Sequence, residues 1–228
     1  MKNVILPSFF CLFSFLGFCQ DTASTSKDPD FVNNFVGNTE KIGMWVPSKV
    51  KSTEIEGSTY LFYSWFGMFS IIDKSGATYS FTNLNYNVKS KSLESKIAND
   101  SVFLFDKKNI DRVTFNKIKY RFINEELFLE VFKSIKFDLL IGYDLYLMSG
   151  TTNPLTQQDL TPNQYKVQKQ YKLYRDATFF NFDLSKKAFF KNFPNHQEAI
   201  AKFVKENKLS YKEEADVITI LKHITTLE

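Results

Sequence analysis

Hydrophobic and polar residues alternate with a period of two along two long stretches in the second half of the chain. In the first stretch, six apolar side chains share one side: Phe137, Leu139, Ile141, Tyr143, Leu145 and Leu147. In the second stretch, four do so: Tyr165, Val167, Tyr171 and Leu173. Because successive side chains of a β-strand point to opposite faces, this pattern predicts two long strands with one face on a core and one in water.

Shorter apolar runs from residue 45 to residue 184 predict further strands, separated by polar turns about ten residues apart. The dipeptide Asn116-Lys117 fits a two-residue hairpin turn, because asparagine tolerates a positive φ angle. The predicted short strands cover 60–66, 68–72, 77–81, 84–88, 93–97, 102–105, 110–115, 119–123 and 178–184. This spacing predicts an antiparallel meander.

After residue 184 the apolar period lengthens to that of amphipathic helices. Ser185 is a predicted N-cap of a first helix, and Asn195 with Glu198 has the form of a capping box for a second. Ser210 with Glu213 repeats that form for a third helix. The sequence therefore predicts an α+β fold, in which an antiparallel curved β-meander or partial barrel is closed by C-terminal helices.

The N-terminal segment has the form of an export signal: a basic residue followed by an apolar run of about 15 residues, shorter than the roughly 20 of a membrane-spanning helix. Gly17 and Cys19 are small residues at the −3 and −1 positions of a cut before Gln20. The segment predicts a signal peptide over 1–19 and a periplasmic or secreted protein. An uncleaved anchor and a lipoprotein modified on Cys19 are alternatives, and the bulky Phe18 argues against lipidation.

Three further segments complete the predicted organisation of the chain. Residues 20–44 are polar and form a predicted flexible lead-in, 45–184 the antiparallel β domain, and 185–228 the C-terminal helices packed on the sheet. Both cysteines fall within the predicted signal, so the mature chain would lack disulfides and thiolate chemistry. The chain contains 25 phenylalanines, and a core rich in aromatic rings can replace missing disulfides.

Charge and motifs exclude several function classes. The net charge of +4 is too small for the basic surface that nucleic acids require. Only two histidines occur, His196 and His223, and neither belongs to an HExxH metal motif. The chain also lacks the GxSxG motif of serine hydrolases. The sequence therefore predicts no catalytic residue, no metal, no cofactor, no nucleic-acid partner and no transmembrane segment in the mature chain.

Two hypotheses about function follow from the remaining features. The leading one is an exported non-enzymatic envelope protein with a binding or structural role, whose partner is an unknown envelope protein or glycan. Loops on a rigid sheet often carry recognition, and the loop 149–163 offers neutral hydrogen-bonding residues. The candidate binding residues are Asn153, Thr156, Gln157 and Gln158. The alternative is a carboxylate-dependent hydrolase of glycans or peptides, for which Glu125-Glu126 and Glu213-Glu214 are the visible carboxylate pairs.

Several stretches of the chain form a recognisable set. They include GSTYLFYSWFGMFSIID, LNYNVKSKSLESKIANDSVFLFDKKNIDRVTFNKIKYRF, the NPLTQQ loop and KFVKENKLSYKEEADVITIL. As a set they resemble a group of uncharacterised small exported proteins of flavobacteria and related Bacteroidetes. The resemblance covers most of the chain from Gly57 onward. It implies an envelope or secreted location and supplies no active residues to carry over.

Overall fold

Alternating apolar residues form strands through most of the chain, and the longer period near the C-terminus forms helices. The computed structural model describes residues 43–47, 55–98, 101–158 and 160–227. The predicted export signal, with Cys19 and Gln20, lies outside these residues. The described elements are β1 (Gly43–Pro47), β2 (Ile55–Gly57), β3 (Phe66–Asp73), β4 (Thr78–Asn83), β5 (Asn85–Asn87), β6 (Ser92–Ala98), β7 (Ser101–Phe105), β8 (Ile110–Phe115), β9 (Ile118–Ile123), β10 (Glu126–Lys133), β11 (Asp138–Met148), β12 (Asn163–Arg175), β13 (Thr178–Asn181), α1 (Lys186–Asn192), a 3₁₀ turn (Pro194–His196), α2 (Gln197–Glu206) and α3 (Glu214–Leu227).

Eight strands form one curled sheet in the order β13-β12-β11-β10-β9-β8-β3-β4, which closes into a half-barrel. Neighbouring strands in this order are antiparallel, and β2 adds to the sheet by parallel pairing with β12. A smaller sheet has the order β1-β7-β6-β5. Leu84 alone separates β4 from β5, so one continuous segment passes from the large sheet to the small one. The predicted α+β fold, a partial barrel with C-terminal helices, is confirmed.

Three hairpin turns each contain two consecutive residues with positive φ angles: Asn116-Lys117, Asn124-Glu125 and Asp176-Ala177. Turns of this kind match the right-handed twist of the strands that they join. The first was predicted and is confirmed. The second was not predicted, and neither was β10, which follows it. The sequence of β10 has apolar residues on both faces and therefore lacks a clear alternation.

The segment 60–66, predicted as a strand, forms no ladder and has only an isolated bridge between Tyr60 and Asn87. Its backbone is held instead by the side chain of Asn85, which is fully buried. The Asn85 amide accepts from the Phe62 N–H at 3.0 Å and donates to the Phe62 carbonyl at 2.9 Å. Together with backbone hydrogen bonds from the Leu61 N–H to the Tyr86 carbonyl and from the Leu84 N–H to the Trp65 carbonyl, both 2.9 Å, these side-chain hydrogen bonds hold the segment without a ladder.

Two hydrophobic cores lie on the concave side of the large sheet. The first joins the large sheet to the small one, and Phe69, Leu93 and Phe103 are among its buried members. The second joins β11 and β12 to the helices, and it includes Leu139 and Leu173 from these strands. The helices contribute most of the second core: Ala188, Phe189, Ile200, Val204, Val217, Ile220, Leu221 and Ile224. The two cores together hold the small sheet and the helices on the curled sheet.

The predicted helix caps are partly correct. The Ser185 hydroxyl accepts a backbone N–H of α1 at 3.2 Å, as predicted. Asn195 lies within the 3₁₀ turn, and α2 begins at Gln197 without a side-chain cap, so the second predicted capping box is wrong. Before α3, the Ser210 N–H donates to the Asp216 carboxylate at 2.8 Å, so Asp216 and not Glu213 closes this turn. Among the described helices, none is long and apolar enough to cross a bilayer.

Candidate binding site along the free edge of β11

The two longest strands, β11 and β12, pair along their whole length, from Asp138↔Tyr174 to Met148↔Gln164. The other neighbour of β11 follows it for a short distance only. Pairing of β10 with β11 runs from Lys133↔Asp138 to Leu129↔Ile141 and then ends. We call residues 138–141 of β11 the root and residues 142–148 the outer half. From Gly142 onward β10 and β11 no longer pair, and we call the gap between these two strands the split.

Side chains of β10 and of the small sheet lie in this split beside β11. The Phe128 ring of β10 lies against Gly142, where a Cβ atom would stand 3.1 Å from the ring. Because a two-residue turn makes Ile123 and Glu126 a hydrogen-bonded pair, the N–H of Leu127 points away from β9. That N–H donates to the Tyr86 hydroxyl of the small sheet at 3.4 Å. The Tyr86 hydroxyl thus accepts the Leu127 N–H, which a β11 carbonyl would accept if the β10–β11 ladder continued.

A shallow cavity of about 280 Å³ lies beside the split, next to Gly142 and Asp144 of β11. Its walls include Glu126, Phe128, Gly142, Asp144, Gln170 and Phe179. The two phenylalanine rings are stacked, with centroids 4.8 Å apart. The Glu126 and Asp144 carboxylates and the Gln170 amide oxygen supply hydrogen-bond acceptors at the mouth of the cavity. Glu126 also forms an ion pair with Lys91. The cavity can therefore receive a side chain that combines apolar surface with a hydrogen-bond donor.

The outer half of β11 has a free edge. Its sequence, GYDLYLM, contains one charged residue, Asp144, and neither lysine nor proline. Within the described ranges, no strand pairs with this edge. Tyr146 and Met148 are exposed on one face, and Leu147 is 52% exposed on the other. Unpaired backbone groups on an apolar strand are a template for pairing with a further strand.

The edge of β12 in the same hairpin differs. It is covered at one end by β2, where Gly57 packs so closely that a Cβ atom would stand 2.5 Å from the Tyr165 carbonyl oxygen. At the other end it pairs with β13. Between these ends the strand carries Lys166 and Lys169, which are exposed. Covering strands and edge lysines are common protections against unwanted strand pairing. The hairpin is thus protected on the β12 side and open on the β11 side.

Two tyrosines of the hairpin bond to neighbouring elements, Tyr171 to α3 and Tyr143 to Tyr120 of β9. The Tyr171 hydroxyl of β12 donates to the Glu214 carboxylate of α3 at 2.7 Å. Burial, together with this hydrogen bond, raises the pKa of Tyr171 to about 12. Burial and the neighbouring Tyr120 also raise the pKa of Tyr143. These phenols therefore stay protonated at neutral pH, where they donate and accept hydrogen bonds that keep the hairpin in place.

The four predicted binding residues lie together in the loop 149–163. The Asn153 side-chain oxygen accepts from the backbone N–H groups of Leu155 at 2.9 Å and Thr156 at 3.4 Å. The Asn153 backbone exchanges hydrogen bonds of 2.8 Å with Gln157 and Gln158. The side chains of Thr156, Gln157 and Gln158 are exposed. The Asn153 oxygen thus serves the loop itself, and ligand binding by the other three residues stays a prediction.

The base of this loop is closed by hydrogen bonds within the loop. The Gly150 N–H donates to the Asn163 side chain at 2.8 Å, and the hydroxyls of Thr151 and Thr161 lie 2.8 Å apart. Gly150 is required here, because a Cβ atom would stand 1.9 Å from the Thr161 carbonyl oxygen. Leu155, 92% exposed, lies on the loop. These contacts close the base of the loop, and Leu155 adds an exposed apolar residue next to the outer half of the hairpin.

The predicted carboxylate pairs do not converge on one site. Glu125 lies 3.7 Å from the Lys107 ammonium, whereas Glu126 is paired with Lys91. Glu214 accepts the hydrogen bond of the β12 tyrosine. Each of these carboxylates thus has a different partner, and none of the contacts brings two of them face to face. The hydrolase hypothesis gains no support from this arrangement.

The histidines have structural surroundings. The His223 ring stacks on Phe203 with centroids 3.9 Å apart, which joins α3 to α2. His196 ends the 3₁₀ turn before α2 and is partly buried. In the part of the chain that the structure describes, no group of three or more His, Cys, Asp or Glu side chains could hold a metal ion.

Sequence reasoning missed the residues around the split. Phe128 and Glu126 belong to β10, which was not predicted, and Phe179 reaches the cavity from β13. One signal was available: Gly142 interrupts a strand of bulky residues, and an interior strand glycine often marks the close approach of another group. The approaching group, the Phe128 ring, comes from a different strand and could not be inferred from spacing.

Known proteins add no further constraint on this site. Comparisons with protein-family models, with curated proteins and with solved structures find no match. The function is therefore inferred from the geometry of the β11–β12 hairpin and its surroundings.

Proposed function

We propose that this chain is an exported, non-enzymatic binding protein of the cell envelope, which captures a partner polypeptide as an added strand on the free edge of β11. One observation carries the proposal. The outer half of β11 is an apolar strand with Tyr146, Leu147 and Met148 exposed, and among the described residues only β12 pairs with it. Strand addition of this kind obtains its affinity from backbone hydrogen bonds and its specificity from side-chain pockets.

The contrast between the two edges of the hairpin supports a binding role. An unprotected apolar edge is an aggregation hazard, and proteins usually protect such edges with lysine, proline or a covering strand. The β12 side has both lysines and covering strands, whereas the β11 side has only Asp144. A β11 edge that is open next to a protected edge is best explained by a partner that covers it.

The side chains around the edge specify the chemistry of the partner. An added strand would place alternate residues against Tyr146 and Met148 on one face and against Leu147 on the other, so it should be apolar on both. Near the split, a partner side chain can enter the cavity beside Phe128. The acceptors there, Glu126 and Asp144 among them, favour a side chain with a hydrogen-bond donor.

The experiment is selection of peptides from a random-sequence display library on the full chain, followed by hydrogen–deuterium exchange with and without a selected peptide. We expect those amides in 142–148 that point to the free edge, and not to β12, to exchange at least tenfold more slowly in the complex. Leu147→Lys should weaken binding by about tenfold or more, because a charge on the edge strand opposes pairing. Gln168→Lys adds the same charge to β12 and serves as the matched control, with unchanged affinity.

Three outcomes would contradict the proposal. One is a selection that yields no binding peptide. Another is a bound peptide or glycan that leaves exchange of the β11 amides unchanged. The third is turnover of glycans or peptides in a substrate screen without any bound partner, which would favour the hydrolase alternative.

A further inference from the structure

A second surface lies at the opposite end of the strands from the 149–163 loop. Phe69 of β3 pairs with Phe115 near the end of β8, and Leu129 of β10 pairs with Tyr120 near the start of β9. Because these neighbours are antiparallel, the start of β3, the β8–β9 turn and the β10–β11 connection all lie at one end of the sheet. The 149–163 loop, which joins β11 to β12, lies at the other end.

The two connections at this end share a composition. Each presents an exposed isoleucine beside lysines, in Lys117-Ile118-Lys119 and in Lys133-Ser134-Ile135-Lys136. Ile135 is 104% exposed, so no described residue packs on its side chain. The start of β3 adds Phe66 and Met68, each 73% exposed. We call these residues the lysine–isoleucine rim.

The rim is a fixed part of the sheet. The Met68 N–H donates to the Asn116 side chain at 3.4 Å, and the Asn116 N–H donates to the Met68 carbonyl at 3.1 Å. In the β10–β11 connection, the Ser134 hydroxyl donates to the Phe137 carbonyl at 2.5 Å. From β3 to β11 the rim spans four strand intervals, about 20 Å at roughly 4.8 Å per interval. Its apolar side chains are therefore held apart from one another along the end of the curled sheet.

The rim is cationic as well as apolar. None of its four lysines forms an ion pair with a described residue: Lys117, Lys119, Lys133 and Lys136. Residues 57–72 contain no charged side chain, and residues 112–124 contain no acidic one. Asp138 lies at this end, but its carboxylate is bound by Arg121 at 2.5 Å. Asp176 is the acidic residue of the β12–β13 turn, two strand intervals beyond the β10–β11 connection.

We propose that the lysine–isoleucine rim docks on a bilayer surface that contains anionic lipid headgroups. The lysines face the phosphates, while Ile118, Ile135, Phe66 and Met68 enter the boundary between headgroups and acyl chains. Peripheral membrane binding combines these two contributions, apolar burial and attraction of basic residues to anionic lipid. Exposed apolar side chains on separate connections fit a fluid lipid surface better than a folded protein partner. The proposal does not depend on strand addition at β11.

The test is co-sedimentation of the full chain with vesicles of phosphatidylcholine alone and with phosphatidylglycerol mixed in equal parts. We expect at least tenfold stronger binding to the mixed vesicles and a decrease with added salt. The double variant Ile118→Ser with Ile135→Ser should lose about tenfold in binding, as should Lys117→Gln with Lys133→Gln. The matched control is Leu155→Ser with Leu160→Ser, which removes exposed leucines at the opposite end and should bind as the parent does.

The substituted side chains are exposed, so a circular dichroism spectrum like that of the parent shows that each variant is folded. Equal binding to neutral and mixed vesicles would overturn the proposal. So would the absence of binding at low salt, or a loss of binding in the Leu155 and Leu160 control with the rim variants unaffected. Capture of an envelope protein through the rim, without vesicle binding, would also overturn it.

Discussion

One row of alternate apolar residues, 139 to 147, runs through the root and the outer half of β11, but the two halves have different surroundings. Leu139 in the root is fully buried against the helices, whereas Leu147 in the outer half is 52% exposed. The root has β10 on one side and α1 to α3 above it, but the ladder with β10 ends at Ile141. Alternation therefore predicts a strand, whereas the elements that cover its faces decide which of its side chains stabilise the fold.

The comparison separates stability from binding within one element. Leu139 of the root belongs to the second core, which holds the helices on the sheet. In the outer half, Tyr143 and Leu145 pack against the first core, whereas Tyr146, Leu147 and Met148 are exposed and can meet a partner. Substitutions in the root should therefore mainly lower stability, whereas substitutions in the outer half should mainly weaken partner binding.

The largest expected effect is that of Leu139→Ala in the root. Removal of a fully buried leucine side chain leaves a cavity, and it should lower the free energy of unfolding by about 2–5 kcal/mol. Leu147→Ala removes the same atoms from an exposed position and should cost less than about 1 kcal/mol. Urea unfolding of both variants provides the measurement. Equal losses would show that the outer half is as well packed as the root.

A smaller effect is expected for Asp138→Ala, also in the root. The Asp138 and Arg121 side chains are 10% and 14% exposed, so removal of the carboxylate leaves a nearly buried guanidinium without its partner. We expect a loss of about 2–3 kcal/mol, below that of a fully buried pair. Asp144→Ala in the outer half removes an exposed carboxylate and should change stability by less than about 0.5 kcal/mol. A similar loss for both variants in urea unfolding would contradict this difference.

The smallest effect is that of Tyr171→Phe, which removes the hydrogen bond between the hairpin and α3. At neutral pH the substitution should lower the free energy of unfolding by about 1 kcal/mol. The folded state raises the pKa of Tyr171 from 10.0 to about 12, so the unfolded chain loses this proton first. The stabilisation that comes from this pKa difference is fully present below pH 10 and is lost as the pH rises to about 12. Unfolding of parent and variant across this range should show a smaller alkaline loss in the variant.

The matched control for that measurement is Tyr146→Phe in the outer half. The Tyr146 side chain is exposed, and its replacement should leave stability at neutral pH unchanged within about 0.5 kcal/mol. An alkaline loss in Tyr171→Phe as steep as that of the parent would assign the pH dependence to other groups.

The fold class could be predicted because its determinants are local. Asn116-Lys117 sets one hairpin through two positive φ angles, and alternation marks β11 and β12 without reference to distant residues. The strand β10 was missed for the opposite reason. Its two faces are both partly covered, and the Asn124-Glu125 turn before it was considered only as a source of carboxylates.

The candidate site could not be predicted in the same way, because it depends on contacts between distant segments. The split beside β11 brings together Phe128, Gly142 and Tyr86 from three different strands. The loop amide of Asn153 was identified from composition, but its oxygen is bound within the loop. The lysines around Ile118 and Ile135 are visible in the sequence, whereas their position at one end of the sheet follows from strand order alone.

The closure of the 149–163 loop has a consequence for the evolution and engineering of this protein. The hydrogen bonds between Thr151 and Thr161 and between Gly150 and Asn163 seal the loop where it leaves the strands. We therefore expect insertions beyond this seal to leave the ladder of β11 and β12 intact, since each doubling of loop length costs only about 0.6 kcal/mol in closure entropy. The tip can therefore acquire new sequences while the scaffold stays constant, which makes it a natural place for grafted segments.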